Sequence, residues 1–150
     1  MTVFDFGSGP VPAHRHSDGG GWVADTAMVA DTAYVSPNAK VFGNARVFGN
    51  AEVYGDAQVF GDATVYDNAR VSGNARVYGN ATVFDDARVF GNARVYGDAL
   101  VCGRARVYDN AQVFDNAQMF DDARVSEDAM VFGNARVYGN TWVSSDEEIS

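Results

Sequence analysis

From Val23 to Val143 a six-residue unit recurs with no insertion or deletion. Val41-Phe42-Gly43-Asn44-Ala45-Arg46 is followed by Val47-Phe48-Gly49-Asn50-Ala51-Glu52, and the series runs to Val137-Tyr138-Gly139-Asn140-Thr141-Trp142. Every sixth position is Val apart from Met119, and the residue four places later is Ala until Thr141. A strict short period constrains the fold more than composition does, because each unit must occupy the same environment as the next.

Written as Ala, x, Val, aromatic and two corner residues, the unit alternates over its first four positions, which is the period of a strand. The last two are Gly, Asp or Asn, residues that tolerate the left-handed backbone of a sharp corner. A short strand and a corner, endlessly repeated, wind into a coil in which each strand pairs with its equivalent one turn away. The x column holds Arg46, Glu52, Gln58, Arg70, Arg76, Arg88 and Arg94, which cannot fill a narrow interior without partners. Val and Ala are therefore expected inside, and the aromatics, which share the parity of the charged column, outside.

On these residues the unit resembles the hexapeptide repeat of left-handed parallel β-helices, in which Ile, Leu or Val opens the hexad and a small residue follows four later. The resemblance covers residues 23–143. It implies an all-β triangular prism with three hexads, about 18 residues, per coil and nearly seven coils. At about 4.8 Å between paired strands the rod is roughly 32 Å long. The departure is the position after Val, where the family carries small or acidic residues and this chain carries Phe or Tyr.

With 20 Asp and Glu against 11 Lys and Arg, the chain lacks the net basic face that phosphate contacts need. Acidity suits the opposite partner, a basic protein surface, including one that ordinarily holds nucleic acid. The single cysteine, Cys102, excludes an intramolecular disulfide and fits a reducing compartment. No apolar run approaches membrane-spanning length, and the N-terminus shows no signal segment, so the reading is a cytoplasmic protein without membrane contact.

Three hexads per coil split the aromatic column into three faces. Face one carries Phe42, Phe60, Tyr78, Tyr96, Phe114 and Phe132, and face two carries Phe48, Tyr66, Phe84, Cys102, Phe120 and Tyr138. Face three mixes Tyr54, Phe90 and Tyr108 with Ser36, Ser72, Ser126 and Ser144. Grouping each x residue with the Val that precedes it assigns Met28, Arg46, Thr64, Thr82, Leu100, Gln118 and Arg136 to face one. The same grouping puts Arg70, Arg88, Arg106 and Arg124 on face two, beside Tyr66 and Phe84. Apolar ladders of this length suggest a closed homotrimer, with faces one and two meeting heterologously and face three outward. The alternative is that the rings simply shield one another along the rod.

Residues 1–22 obey no repeat and are expected to cap the open end of the prism, with Phe4, Phe6, Val11 and Trp22 as its cover. Their form resembles the heads of uncharacterised bacterial and bacteriophage hexapeptide-repeat proteins. His14 and His16 are the only candidates for metal ligation, as alternate residues of an extended segment. A zinc site needs a third ligand, such as Asp18 or a second subunit's side chain, and the competing role is hydrogen bonding within the cap. Residues 144–150 read as a short, flexible acidic tail, with Trp142 covering the last coil.

The resemblance implies one enzymatic reading, since hexapeptide-repeat helices include acyltransferases with a catalytic His and γ-class carbonic anhydrases with a three-His zinc site. This chain has no His between residues 23 and 143 and no extruded loop to wall a site, so neither catalytic residues nor a cofactor are expected. The leading expectation is a non-catalytic interaction protein: a rigid acidic homotrimer that binds and blocks a macromolecular partner. Its acidic edges are Asp67, Asp85, Asp86, Asp121 and Asp122 at one corner and Asp109 and Glu127 at another. Regular negative charge on a stiff rod imitates a nucleic-acid backbone, as in phage-encoded inhibitors of host defence acting in the bacterial cytoplasm. The competing view is that Asp is there for the corner, where it interchanges with Asn. A further alternative makes Arg70, Arg88, Arg106 and Arg124 with Tyr66 and Phe84 a groove that sequesters a nucleotide or small anion between subunits.

Overall fold

In the computed structural model, which describes residues 2–150, the hexads form a parallel β-solenoid of triangular section. Each hexad supplies one two-residue strand made of x and Val, and its N–H and C=O groups bond to the equivalent strands below and above. Thr64 pairs with Thr82, Arg70 with Arg88 and Arg76 with Arg94, so strands stack at intervals of three hexads. The three resulting sheets are the three faces of the prism. About seven coils run from Val23 to Ile149.

The interior is as narrow as the repeat demands. Val41 to Val131, including Met119 in a Val position, are fully buried, as are the Ala residues from Ala33 to Ala129. Each of these coils therefore buries three Val, or two Val and Met119, with three Ala, and their apolar burial is the main favourable term. The half-hidden aromatics stack into ladders instead: Phe60 on Tyr78 at 4.9 Å and 4°, Tyr66 on Phe84 at 5.0 Å and 2°. Of the ladder rings, only Phe48 and Tyr138, at ladder ends, stand out as exposed. The rings shield one another along the rod, as the alternative to the trimer has it, and this leaves the trimer itself open as a proposal.

The corners explain the Gly/Asp/Asn preference. From Gly43 to Ser145 the first corner residue is left-handed whether it is glycine or not: Gly79 has φ +66° and Asp115 φ +57°. A Cβ at Gly79 would meet the backbone nitrogen of Gly97 at 2.9 Å. Aspartate offsets the strain with a hydrogen bond, the Gly133 N–H donating to Asp115 Oδ2 at 3.1 Å. The second corner residue ties coils together sideways, as in the run Asn74, Asn92, Asn110 and Asp128 at 3.1–3.3 Å.

Four expectations are corrected here. The x residue precedes its Val on one strand, and the corner lies between it and the preceding aromatic, so each x column lies one face further on than expected. Met28, Arg46, Thr64 and their equivalents are on face two, and Arg70, Arg88, Arg106 and Arg124 are on face three with the serines. Residues 144–150 are not a tail: Ser145 forms a corner at φ 60°, and Glu148–Ile149 pairs with Met130–Val131. Trp142 points outward, 57% exposed, and donates from Nε1 to Ser126 Oγ at 2.8 Å.

The head is likewise more regular than expected. Strands β1 (Val3–Asp5), β2 (Pro10–Arg15) and β3 (Trp22–Ala24) run antiparallel, and β3 joins the parallel sheet of face one through Lys40–Val41. Its aromatics extend the outer ladder rather than plug the bore: Phe4 stacks on Trp22 at 4.6 Å and Phe6 on Phe42 at 4.8 Å. Buried His16 bonds to the Ala33 carbonyl of the first coil at that end.

Two stability outcomes follow from this packing. Val89→Ala, removing about two methylene equivalents from a fully buried site, should cost about 2 kcal/mol in a denaturant melt, against under ~0.5 kcal/mol for exposed Arg88→Ala. At the corner, Asp115→Ala should lose about 1–2 kcal/mol, since it keeps the left-handed strain and loses the bond, whereas Asp115→Gly should be close to neutral.

Candidate functional site

The corner between faces two and three concentrates most of the charged residues singled out from the sequence. Its first positions are Gly49, Asp67, Asp85, Gly103, Asp121 and Gly139, and its second are Asn50, Asn68, Asp86, Arg104, Asp122 and Asn140. Asp67, Asp85, Asp86 and Asp121 are exposed and Asp122 half-buried. These carboxylates are not idle: Asp85 Oδ2 accepts from Gly103 N–H and Asp121 Oδ2 from Gly139 N–H, each at 3.1 Å. At the next corner, between faces three and one, Asp109 Oδ2 accepts from Glu127 N–H at 3.2 Å. A carboxylate has two oxygens, so this structural bond leaves acceptor capacity for a partner.

The arginines line the face-three side of the same corner. Arg70, Arg88 and Arg106, with Arg104, Asn68 and Asp86, surround a shallow cleft of about 250 Å³. Arg104 is not among the residues singled out from sequence, although it stands where the other hexads carry Asn, Asp or Thr. It forms a fork on Asp122, with Nε to Oδ1 at 2.8 Å and Nη2 to Oδ2 at 2.9 Å. Arg70 lies 3.6 Å from Glu52. No carboxylate lies within ion-pair distance of Arg88, Arg106 or Arg124 among the described residues.

The expected companions of that groove are elsewhere. Tyr66 and Phe84 belong to face two, across the corner from the arginines, and Tyr66 lies between Phe48 and Phe84 in a continuous stack. Tyr66 spends both π faces on its neighbours, and Phe84 keeps one free only toward Cys102 on its own face, so neither offers a platform for a base beside the arginines. The trimer-interface candidates divide similarly: Phe42, Phe60, Tyr78, Tyr96, Phe114 and Phe132 form one unbroken stack, while face two is interrupted between Phe84 and the Phe120–Tyr138 pair.

The interruption is Cys102. Its half-buried thiol sits in the ladder column and donates a weak bond to the Met119 carbonyl at 3.5 Å. Burial first, then the charges of Asp85 and Asp121, push its pKa up, so the thiol stays protonated near neutrality. Tyr66 is raised in the same way, by burial and then by Asp67 and Asp85. The face-two edge of this corner is thus electronegative, while its face-three edge carries the guanidinium groups.

The two histidines do not face a common point. His14 Nδ1 pairs with exposed Asp25 at 2.7 Å, whereas buried His16 donates from Nε2 to the Ala33 carbonyl at 2.8 Å. Among the described residues no three His, Cys, Asp or Glu side chains are grouped as a metal ion would require. Hydrogen bonding within the cap is the role this geometry gives them.

The class these features define is a repeat-built β-helix, a solenoid whose bore is filled by Val and Ala. Its coils match the family model for the YdcK beta solenoid repeat at residues 57–73, 65–79, 69–85, 75–89, 87–103 and 129–145. No curated protein and no solved structure matches the chain. No helix among the described residues is long and apolar enough to cross a membrane.

The raised pKa of Cys102 has a direct readout. The pH profile of its alkylation by iodoacetamide should reach half-maximal rate above that of a free cysteine peptide, and Asp85→Asn with Asp121→Asn should move it back down.

Proposed function

We propose that the protein is a non-catalytic interaction module, a rigid acidic prism that binds and blocks a macromolecular partner with a basic surface. The observation that carries this reading is the row of exposed corner carboxylates, Asp67, Asp85, Asp86 and Asp121 with Asp122, held at coil spacing on an unbroken backbone ladder. Because the frame is hydrogen-bonded through every coil, these charges are ordered before binding, and little conformational entropy is lost when a partner meets them. Regularly spaced negative charge on a stiff support competes for grooves that hold nucleic acid, and a phage-encoded inhibitor of a host defence protein is the biological setting we favour. Asp109 and Glu127 extend the acidic surface to the next corner.

A second reading rests on a different observation. Arg88 and Arg106 lack an ion-paired carboxylate among the described residues and line the 250 Å³ cleft with Arg104, which suits a small multivalent anion such as a nucleotide's phosphates. Tyr66 and Phe84 take no part in it, and the base would have to lie outside the ladders. Homotrimer formation is part of the principal reading, through faces one and two. The exposed ladder ends Phe48 and Tyr138 support it, while the self-stacked rings between them reduce the apolar area that drives it.

Fluorescence anisotropy with labelled nona-arginine tests the principal reading. Binding should weaken steeply with added salt, and Asp67→Asn, Asp86→Asn and Asp121→Asn combined should weaken it at least tenfold, since Asn stands in other hexads at the position of Asp86 and tolerates the left-handed backbone at Asp67 and Asp121. Equal binding by the triple variant would overturn the reading; tighter binding of inorganic triphosphate than of the peptide would favour the anion cleft. Light scattering at micromolar concentration should give three times the chain mass, and a monomer would remove the trimer.

A further inference from the structure

One hexad departs from the repeat at three positions at once. In Ala99-Leu100-Val101-Cys102-Gly103-Arg104 the x residue is the only Leu, the aromatic position holds the only Cys, and the corner carries the only Arg at its position. The backbone ignores these changes. Phe84 N–H donates to Val101 O at 3.0 Å and Cys102 N–H to Met119 O at 2.9 Å, so coil height is kept. A short side chain in a column of rings, at unchanged height, leaves a gap.

The dimensions of the gap follow from the ladder. Neighbouring rings on this face lie 4.9–5.3 Å apart and nearly parallel. Phe84 and Phe120 are two coils apart, so their rings are separated by about 9.6 Å, twice the usual strand spacing. One planar group fits between them at about 4.8 Å from each ring, within the ~6 Å over which a cation is held by an aromatic face. The comparable breaks on face three are closed: Ser72 is 9% exposed, and Ser126 is fully buried with the Trp142 indole bonded to it. Cys102 remains half-open.

We propose that the gap at Cys102 receives a guanidinium group, an arginine side chain of the basic partner, laid flat between Phe84 and Phe120 and hydrogen-bonded to Asp85, with Asp121 adding its charge from the next coil. The inference rests on the acidic-module reading and names the anchor in it. Ring faces present negative potential above and below the gap, and Asp85 leans toward it, one oxygen held by the Gly103 N–H at the level of Cys102 and one left to accept, while Asp121 leans the other way, to the Gly139 N–H. Both carboxylates act on this position, adding to the burial that raises the pKa of the Cys102 thiol. The nearest cation of the chain, Arg104, is turned to Asp122. Guanidinium suits such a slot where ammonium does not, being planar, weakly hydrated and able to fork onto carboxylates.

Proton NMR of Nα-acetyl-arginine amide titrated with the native protein tests this. The δ-methylene protons should shift upfield under ring currents from both sides, and the lysine analogue should bind at least threefold more weakly. Cys102→Phe restores the repeat's ring and therefore the fold, and it should abolish the shift; Asp85→Asn with Asp121→Asn should weaken binding at least fivefold. A shift that persists in Cys102→Phe, an equal lysine response, or occupation of the gap by 2-naphthoate instead of arginine would overturn the proposal. Nona-arginine binding that Cys102→Phe leaves unchanged refutes the receptacle and keeps the acidic-corner reading, whereas no nona-arginine binding refutes both.

Discussion

The coil-to-coil hydrogen-bond ladder governs everything else in this protein. Each hexad passes its N–H groups to the carbonyls of the hexad one turn above, and equivalent residues therefore stack with no freedom of register. Once that stacking is imposed, the bore has room for only Val and Ala, and whatever occupies the x and aromatic columns becomes a column of like side chains. Like rings attract when stacked and like charges repel. The face-two rings and the face-three arginines are both products of one constraint, and only the second leaves unmet charge.

This division accounts for how function is distributed. A solenoid with a filled bore has no central cavity, so binding chemistry must be built from columns and from the corners between them. The corner joining faces two and three is the richest place because it juxtaposes an electronegative edge, where Asp85 and Asp121 bond to backbone, with a guanidinium edge. Acidic residues there serve two ends at once. They stabilise the left-handed corner, and they give the surface its sign.

Much of the fold is legible in the sequence because a strict period leaves few arrangements: the buried Val and Ala and the outward rings follow from it, and the three-hexad coil from the resemblance to hexapeptide-repeat helices. The pairing of columns is harder to read. A hexad written from Val groups Arg70 with Tyr66, when the corner between the two carries the chain on to the next face. Residues 144–150 hide their register because Ser144, Glu147 and Ile149 replace the aromatic, Ala and Val that advertise it elsewhere. The gap at Cys102 involves residues 84, 102 and 120, which become neighbours only once the coil length is known. A signal is nonetheless present in the threefold irregularity of the Ala99–Arg104 hexad.

The stacking of equivalents at three-hexad intervals also sets the unit in which this protein can change length. Loss or gain of a whole coil leaves every column intact and merely shortens or extends it. Loss of a single hexad would keep each local strand and corner sound, yet turn everything downstream by a third of a revolution. Every side chain beyond the break would then stand above a column to which it does not belong, and carboxylates would face the wrong neighbour. The molecule is in this sense a three-letter reading frame written in structure, tolerant of insertions in multiples of the coil and scrambled by anything less.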